Sequence, residues 1–263
     1  MKHFVFGSNG MMGKYFCSVC DNIVPLTRSD YDITENNIDK IEDILKSNGI
    51  QEGDAIVNCA GAVKQRQFTA KDYVYINSLF PHQLDEISKK IKCKFVHITT
   101  DCVYDGSKGN YTEKDRHTCD DLYGSSKSLG ETKNGCCIRT SIIGLGSKDN
   151  VSLLDWITTT NNKQIKGFEN HFWNGLTCLE LSIIIRNIIR SNVLWRGCRH
   201  VFSNPVSKYE LLKMYNDIFN LNKKIVPVNS YAQCDRTLNS KFHLPVPKTI
   251  KDQLKELKKY HDK

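Results

Sequence analysis

A doubly wound parallel α/β sheet with a smaller α/β lobe is the fold class this sequence predicts. Three observations lead there: short apolar runs alternate with helix-length amphipathic segments, a glycine-rich turn follows the first run, and the alternation weakens after Arg139. The runs at 3–6, 23–26, 55–59, 94–99 and 136–139 read as strands, apolar enough to be covered on both faces as parallel strands are. Further on, Thr177 with Glu180 and Ser207 with Glu210 form capping boxes that open two later helices. No internal repeat, low-complexity tract or flexible linker interrupts the chain.

At 263 residues, 40% hydrophobic and 25% charged, the composition is that of an ordinary globular protein large enough for a substantial core. The longest apolar candidate for a membrane span, 183–189, is broken by Arg186 and Asn187 and falls far short of the roughly 20 residues a bilayer requires. The amino terminus runs straight into a strand without a signal-peptide stretch, so a cytoplasmic protein with no membrane partner is expected. Eleven cysteines are scattered without the framework of a secreted disulfide domain, which agrees with a reducing compartment. Cys17 and Cys20 form a CxxC, but no second pair follows at zinc spacing, so no metal is expected. The net charge of +8 is diffuse, and its densest run, 248–263, is interleaved with Asp252, Glu256 and Asp262 as on a solvated helix. Nucleic acid is therefore not an expected partner, and a polyanionic small ligand accounts for the charge.

Gly7, Gly10 and Gly13 give G-x-x-G-x-x-G directly after the first strand and at the mouth of a helix, where backbone amides can approach a pyrophosphate. The spacing departs from G-x-G-x-x-G, and three glycines would also serve a bare turn. Asn9, Met11 and Met12 are the other expected cofactor neighbours in this loop. After the second strand, Thr27 and Arg28 stand where an NAD-binding protein usually places an acidic ribose ligand, and a guanidinium there suits a 2′-phosphate. NADPH is the expected cofactor, with NADH allowed. Asp32 and Ile33 are expected beside the adenine, and Asn58, Cys59, Ala60 and Gly61 at the carboxyl edge of the third strand. These features make the expected sheet Rossmann-like.

Thr99-Thr100-Asp101 ends the fourth strand, and Tyr123 and Lys127 follow at i and i+4, on one helix face. A tyrosine of ordinary pKa about 10 becomes an acid–base group near neutrality when a cation stabilises its phenolate, which is the role expected of Lys127. Thr100 is expected to hydrogen-bond the substrate oxygen.

The stretches GSNGMMG, VNCAGA, TTDCVYDG, YTEKD, LYGSSKSLGE and CIRTSIIG resemble the extended short-chain dehydrogenases/reductases, most closely the dTDP-4-dehydrorhamnose reductase group. GLTCLELS, HVFSNPVSKYELL and CDRTL extend the resemblance over nearly the whole chain. It implies that Thr100, Tyr123 and Lys127 are catalytic and that the substrate is a dTDP-, UDP- or GDP-linked 4-keto-6-deoxyhexose, with L-rhamnose or a 2-acetamido analogue as the kind of product sugar. Cys102 departs from the aromatic residue common in that group and is similar to a cysteine of GDP-fucose synthase, which implies an alternative bifunctional 3,5-epimerase/4-reductase. The second acid–base residue such an epimerase needs has no match between Val151 and Asp155. A further alternative is a non-catalytic NADP-binding regulatory subunit. Arg236 is expected near the substrate diphosphate, and Trp173 and Asn174 in the substrate pocket. The expected division is residues 1–144 for an NADP-binding Rossmann domain, with a return segment at 176–203, and residues 145–175 and 204–263 for the substrate lobe. A homodimer is compatible with all of this.

Overall fold

The computed structural model describes residues 1–146, 152–242 and 247–263. Its first half alternates strand and helix as the apolar runs require: β1 (His3–Phe6), α1 (Met11–Val19), β2 (Ile23–Leu26), α2 (Ile38–Ser47), β3 (Ala55–Asn58), α3 (Ala70–Tyr73), then α4 (Phe80–Ile91), β4 (Lys94–Thr100), α5 (Leu122–Leu129) and β5 (Cys136–Thr140). A π-helical turn over Val74–Leu79 joins α3 to α4. The second half contributes β6 (Ile142–Ile143), α6 (Leu153–Thr159), β7 (Gln164–Phe168), β8 (His171–Trp173), β9 (Leu176–Thr177) and α7 (Cys178–Arg190). It continues with β10 (Gly197–His200), β11 (Val206–Ser207), α8 (Lys208–Phe219), β12 (Lys224–Val228), β13 (Cys234–Asp235) and α9 (Ile250–His261).

The main sheet has the order β2-β1-β3-β4-β5-β10 and every neighbouring pair is parallel. Strand order reverses between β1 and β3, and at such a switch point the crevice outside the carboxyl ends of the strands takes the ligand. Five strands coincide with the apolar runs to within a residue at their ends. The sixth, β10, has the sequence Gly-Cys-Arg-His and shows no apolar run, because as an edge strand it is only half covered.

Two cores lie on the two faces. Phe4, Ile41, Phe80 and Leu84 pack on the α2 and α4 side. Val5, Val57 and Ile138 belong to a larger core on the α1 and α7 side, which runs without a break into Ile165, Trp173, Leu211, Tyr215 and Leu254 of the second half. The lobe carrying β7, β12, α8 and α9 is therefore seated on the sheet by shared apolar burial. In α9 the lysines stay outside while Ile250, Leu254 and Leu257 are buried, which is the solvated helix expected of this segment. All eleven cysteines are free, with Cys17 and Cys20 packed on the α1 side of the core. Among the described residues no helix is long and apolar enough to cross a membrane.

Candidate active site

The chain leaves β1 at Gly7, whose φ of +75° is open to glycine at no cost, and a Cβ on this residue would lie 2.7 Å from the Ala60 nitrogen. Gly13 is as constrained: a Cβ there would lie 2.2 Å from the Gly7 carbonyl oxygen. The glycines thus press the start of α1 onto the turn after β3, closing the switch point. Side chains cap α2, α5, α6, α7, α8 and α9, whereas α1 starts at Gly10 with neither a capping side chain nor an acidic residue in its first turn. A helix start with free N–H donors and no acidic cap is suited to a diphosphate. Gly10, Met11, Met12, Cys59, Ala60 and Gly61 all line one cavity of about 400 Å³ at the carboxyl end of the sheet.

Other expected cofactor neighbours are held differently. Asn58 is fully buried beneath the turn, its Oδ1 accepting from the Ala60 N–H at 3.0 Å and its Nδ2 facing His97 Nδ1 at 3.1 Å, so it shapes the turn and does not line the cavity. Arg28, at the end of β2, donates from Nε and Nη2 to Asp32 at 2.9 and 2.8 Å while its side chain stays 76% exposed. Asp32 also caps the short turn Ile33–Glu35, and Ile33 packs against the α2-side core.

Thr100, Tyr123 and Lys127 converge on the same cavity. Thr100 closes β4, with its Oγ1 accepting from the Cys102 N–H at 3.2 Å and donating to Asp101 Oδ1 at 3.3 Å, and it shares the cavity wall with Tyr123. Asp121 caps α5 by accepting from the Gly124 N–H at 2.8 Å, which fixes the turn that carries Tyr123. Burial raises the phenol's pKa above its ordinary value, with Cys102 and Asp101 adding to it and Thr100 opposing. This differs from the expectation that Lys127 depresses it: the ammonium is spent on the Ile98 carbonyl, 2.8 Å away. Burial thus favours the protonated phenol. Lys127 is itself buried, and desolvation lowers its pKa to about 8 against the pull of Glu131.

That shift makes a prediction with a definite sign. Folded Lys127 releases its proton near pH 8 and the unfolded chain near 10.5, so between them the unfolded state binds more protons. Stability contributed at this position is lowest below pH 8 and rises towards pH 10.5. Relative to Lys127→Met, the wild type should therefore gain on the order of 2–3 kcal/mol across that window in urea titrations, at about 1.4 kcal/mol per pH unit. Parallel stability curves for the two proteins would contradict it.

Behind the triad, Arg139 on β5 uses all five of its donors. Nε and Nη2 bond Glu131 at 2.9 and 2.5 Å, Nη2 also reaches His117 Nε2 at 2.8 Å, and Nη1 reaches the Tyr104 hydroxyl at 2.6 Å and His200 Nε2 at 2.7 Å. Glu131 additionally accepts from Thr99 at 3.2 Å. The node ties β4, β5 and β10 to the segments that flank α5.

On the substrate side, Trp173 and Cys102 line the cavity, with Trp173 only 3% exposed. Burial pushes the Cys102 thiol up to about 11, with Asp101 adding to it, which favours the protonated thiol. Val151 lies outside the described residues, and 152–155 contain neither histidine nor lysine. Two expected substrate residues are not on the cavity wall. Asn174 is locked in the interior, donating to the Leu238 carbonyl at 2.8 Å and accepting from its N–H at 2.9 Å. Arg236 donates to the Tyr104 carbonyl at 2.9 Å from behind Asp101 and Cys102. Sequence reasoning missed Lys64, Asp101 and Lys208, which do line the cavity. Lys64 pairs with Asp121 at 2.5 Å and sits 5.6 Å from the Tyr123 ring centre. It lies in a loop with no motif, and Lys208 sits inside a capping box that explains itself without it.

Residues 1–145 match the RmlD substrate binding domain family. The chain belongs to that family. As an RmlD-family protein it is 31% identical over 137 residues to a dTDP-4-dehydrorhamnose reductase of Burkholderia thailandensis, covering 50% of this chain and 44% of the relative. It is 29% identical over 168 residues to the spore coat polysaccharide biosynthesis protein SpsK of Bacillus subtilis, covering 58% and 57%. The matches thus span about half the length of these curated relatives. Among solved structures, the dTDP-4-dehydrorhamnose reductase of Bacillus anthracis in complex with NADP superimposes with a TM-score of 0.81 at 20% identity, covering 98% of this chain and 99% of that one. The Clostridium acetobutylicum RfbD ortholog gives 0.80 at 19% identity, covering both chains fully. Those likenesses show that the Rossmann-like fold of these structures extends beyond the residues the family matches.

Proposed function

We propose that this protein is an NADPH-dependent reductase of the C4 ketone of a nucleotide-activated 4-keto-6-deoxyhexose, with the sheet and its return segment binding cofactor and the remaining lobe covering the sugar. The observation that carries the reading is the convergence of Thr100, Tyr123 and Lys127 beside an uncapped α1 in one cavity. The relatives named as dTDP-4-dehydrorhamnose reductases support the substrate class.

When bound, a reduced nicotinamide cofactor supplies the hydride. The chain's own residues do the rest. Thr100 Oγ1 orients the carbonyl oxygen, and the Tyr123 phenol, protonated at neutral pH, hands its proton to that oxygen as negative charge develops on it. Lys127, bonded to the Ile98 carbonyl on the wall of the same cavity, is the group that would hold the nicotinamide ribose, and Glu131 opposes the loss of its charge on burial. Met11 and Met12 offer backbone N–H donors to a diphosphate, and Arg28 favours NADPH over NADH through a 2′-phosphate contact. Eleven free cysteines agree with action in the reducing cytoplasm.

Incubation with NADPH or NADH and a panel of 4-keto-6-deoxy sugar nucleotides, with NMR of the product, tests the reading. Stoichiometric cofactor oxidation, faster with NADPH at equal concentration, with a C4 alcohol as product is expected. Cofactor binding without turnover of any keto sugar would leave a regulatory subunit instead.

We propose further that the chain forms a homodimer through the face of α5 and the neighbouring π turn, where Val74, Leu79, Leu122 and Leu129 are all exposed. Sedimentation equilibrium should give twice the 30.1 kDa chain mass, and Leu129→Glu should return it to the monomer value. A wild type that sediments as a monomer at tens of micromolar would refute this.

A further inference from the structure

We propose that Lys208, together with Asp101, reads a hydroxyl on the carbon next to the reacting ketone, and so makes that hydroxyl a requirement for tight substrate binding. The proposal rests on the reductase reading above and narrows the sugar it acts on. Lys208 opens α8 immediately after β11, which pairs antiparallel with β8 so that Val206 lies opposite Trp173. This places the Lys208 ammonium over the indole face, 5.2 Å from the ring centre, and on the cavity wall. Among the described residues it makes no hydrogen bond and no ion pair, and it is partly withdrawn from solvent. Asp101 lines the same cavity at 3% exposure, with Oδ1 3.3 Å from Thr100 Oγ1 and therefore beside the point where the ketone oxygen docks.

The two charges attract each other without meeting. A desolvated ammonium with open donors and a buried carboxylate with open acceptor sites are both costly until a third group satisfies them. A hydroxyl does so, accepting from Lys208 and donating to Asp101. A phosphate or carboxylate would be attracted by Lys208 but repelled by Asp101. Because Asp101 touches Thr100, the group it holds belongs to a carbon adjacent to the ketone carbon.

The test is binding and turnover of a dTDP-linked 4-keto-6-deoxyhexose and its 3-deoxy counterpart, with wild type and Lys208→Met, both loaded with cofactor. Calorimetry with the corresponding unreactive 4-hydroxy sugars reads binding apart from chemistry. The wild type should favour the 3-hydroxylated ligand at least about tenfold, the scale of a hydrogen bond to a charged group. Lys208→Met should bring that preference within about threefold, mainly by raising Kd and KM for the hydroxylated ligand, with NADPH affinity unchanged as the check on folding. Should Lys208→Met lose NADPH binding, the same comparison is made with Lys208→Gln, which keeps a donor but loses the charge. A preference that survives in the variant, or is absent from the wild type, overturns the proposal while reduction itself stands. Preferential binding without reduction by the wild type overturns the reductase reading and leaves this one in place.

Discussion

Tyr123→Phe lowers kcat for keto-sugar reduction by about 10²–10⁴-fold while NADPH affinity changes by less than about twofold, as steady-state kinetics and fluorescence titration will read. The hydroxyl is the group that faces Thr100 and the cavity, whereas the ring keeps its place by packing edge-on against Tyr73, with centres 6.5 Å apart. Phenylalanine preserves that packing and removes only the proton. Burial keeps the phenol protonated through the neutral range, so its loss is a loss of the acid and not of a partly ionised base. A Phe variant retaining more than a tenth of the wild-type kcat would show that the proton comes from elsewhere.

Arg139→Met costs about 3–5 kcal/mol of unfolding free energy, because breaking a buried pair from one side leaves Glu131 as an uncompensated interior charge. His117, His200 and Tyr104 lose an acceptor role at the same time. With Arg139 in place, burial and the guanidinium together lower the pKa of both histidines, His200 to about 4. Urea denaturation measures the loss, and Arg139→Lys, which restores the charge but not five directed donors, should recover only part of it. A Met variant within about 1 kcal/mol of wild type would mean that the node is not a structural support.

The sheet was legible because its strands are largely buried on both faces, so 3–6, 55–59 and 94–99 are short runs dominated by apolar residues, with amphipathic helices between them. β10 was not, since an edge strand reading Gly-Cys-Arg-His needs little hydrophobicity to pair with β5. In the site, Tyr123 and Lys127 could be read from their helical spacing, and the glycines from the turn they permit. What could not be read was burial. Lys127 was expected to act on the phenol directly, yet its ammonium is bonded to the Ile98 carbonyl, and desolvation decides the phenol's protonation. Asn58, Asn174 and Asp32 were read as ligand-facing because polar residues near a motif invite that reading. In the fold their side chains satisfy the Ala60, Leu238 and Thr34 backbones. Lys208 and Asp101 escaped notice because Lys208 reaches the cavity only when β11 is laid beside β8, some hundred residues after the end of β4, which Asp101 follows.

Transfer of deuterium from NADPH labelled at nicotinamide C4 to the substrate tests the central claim most directly. Mass spectrometry and NMR of the product should find one deuterium per cofactor oxidised, at C4 of the sugar and nowhere else, with none appearing in Tyr123→Phe. With both nicotinamide C4 hydrogens replaced by deuterium, turnover of the keto sugar that leaves no label at sugar C4 would contradict the account.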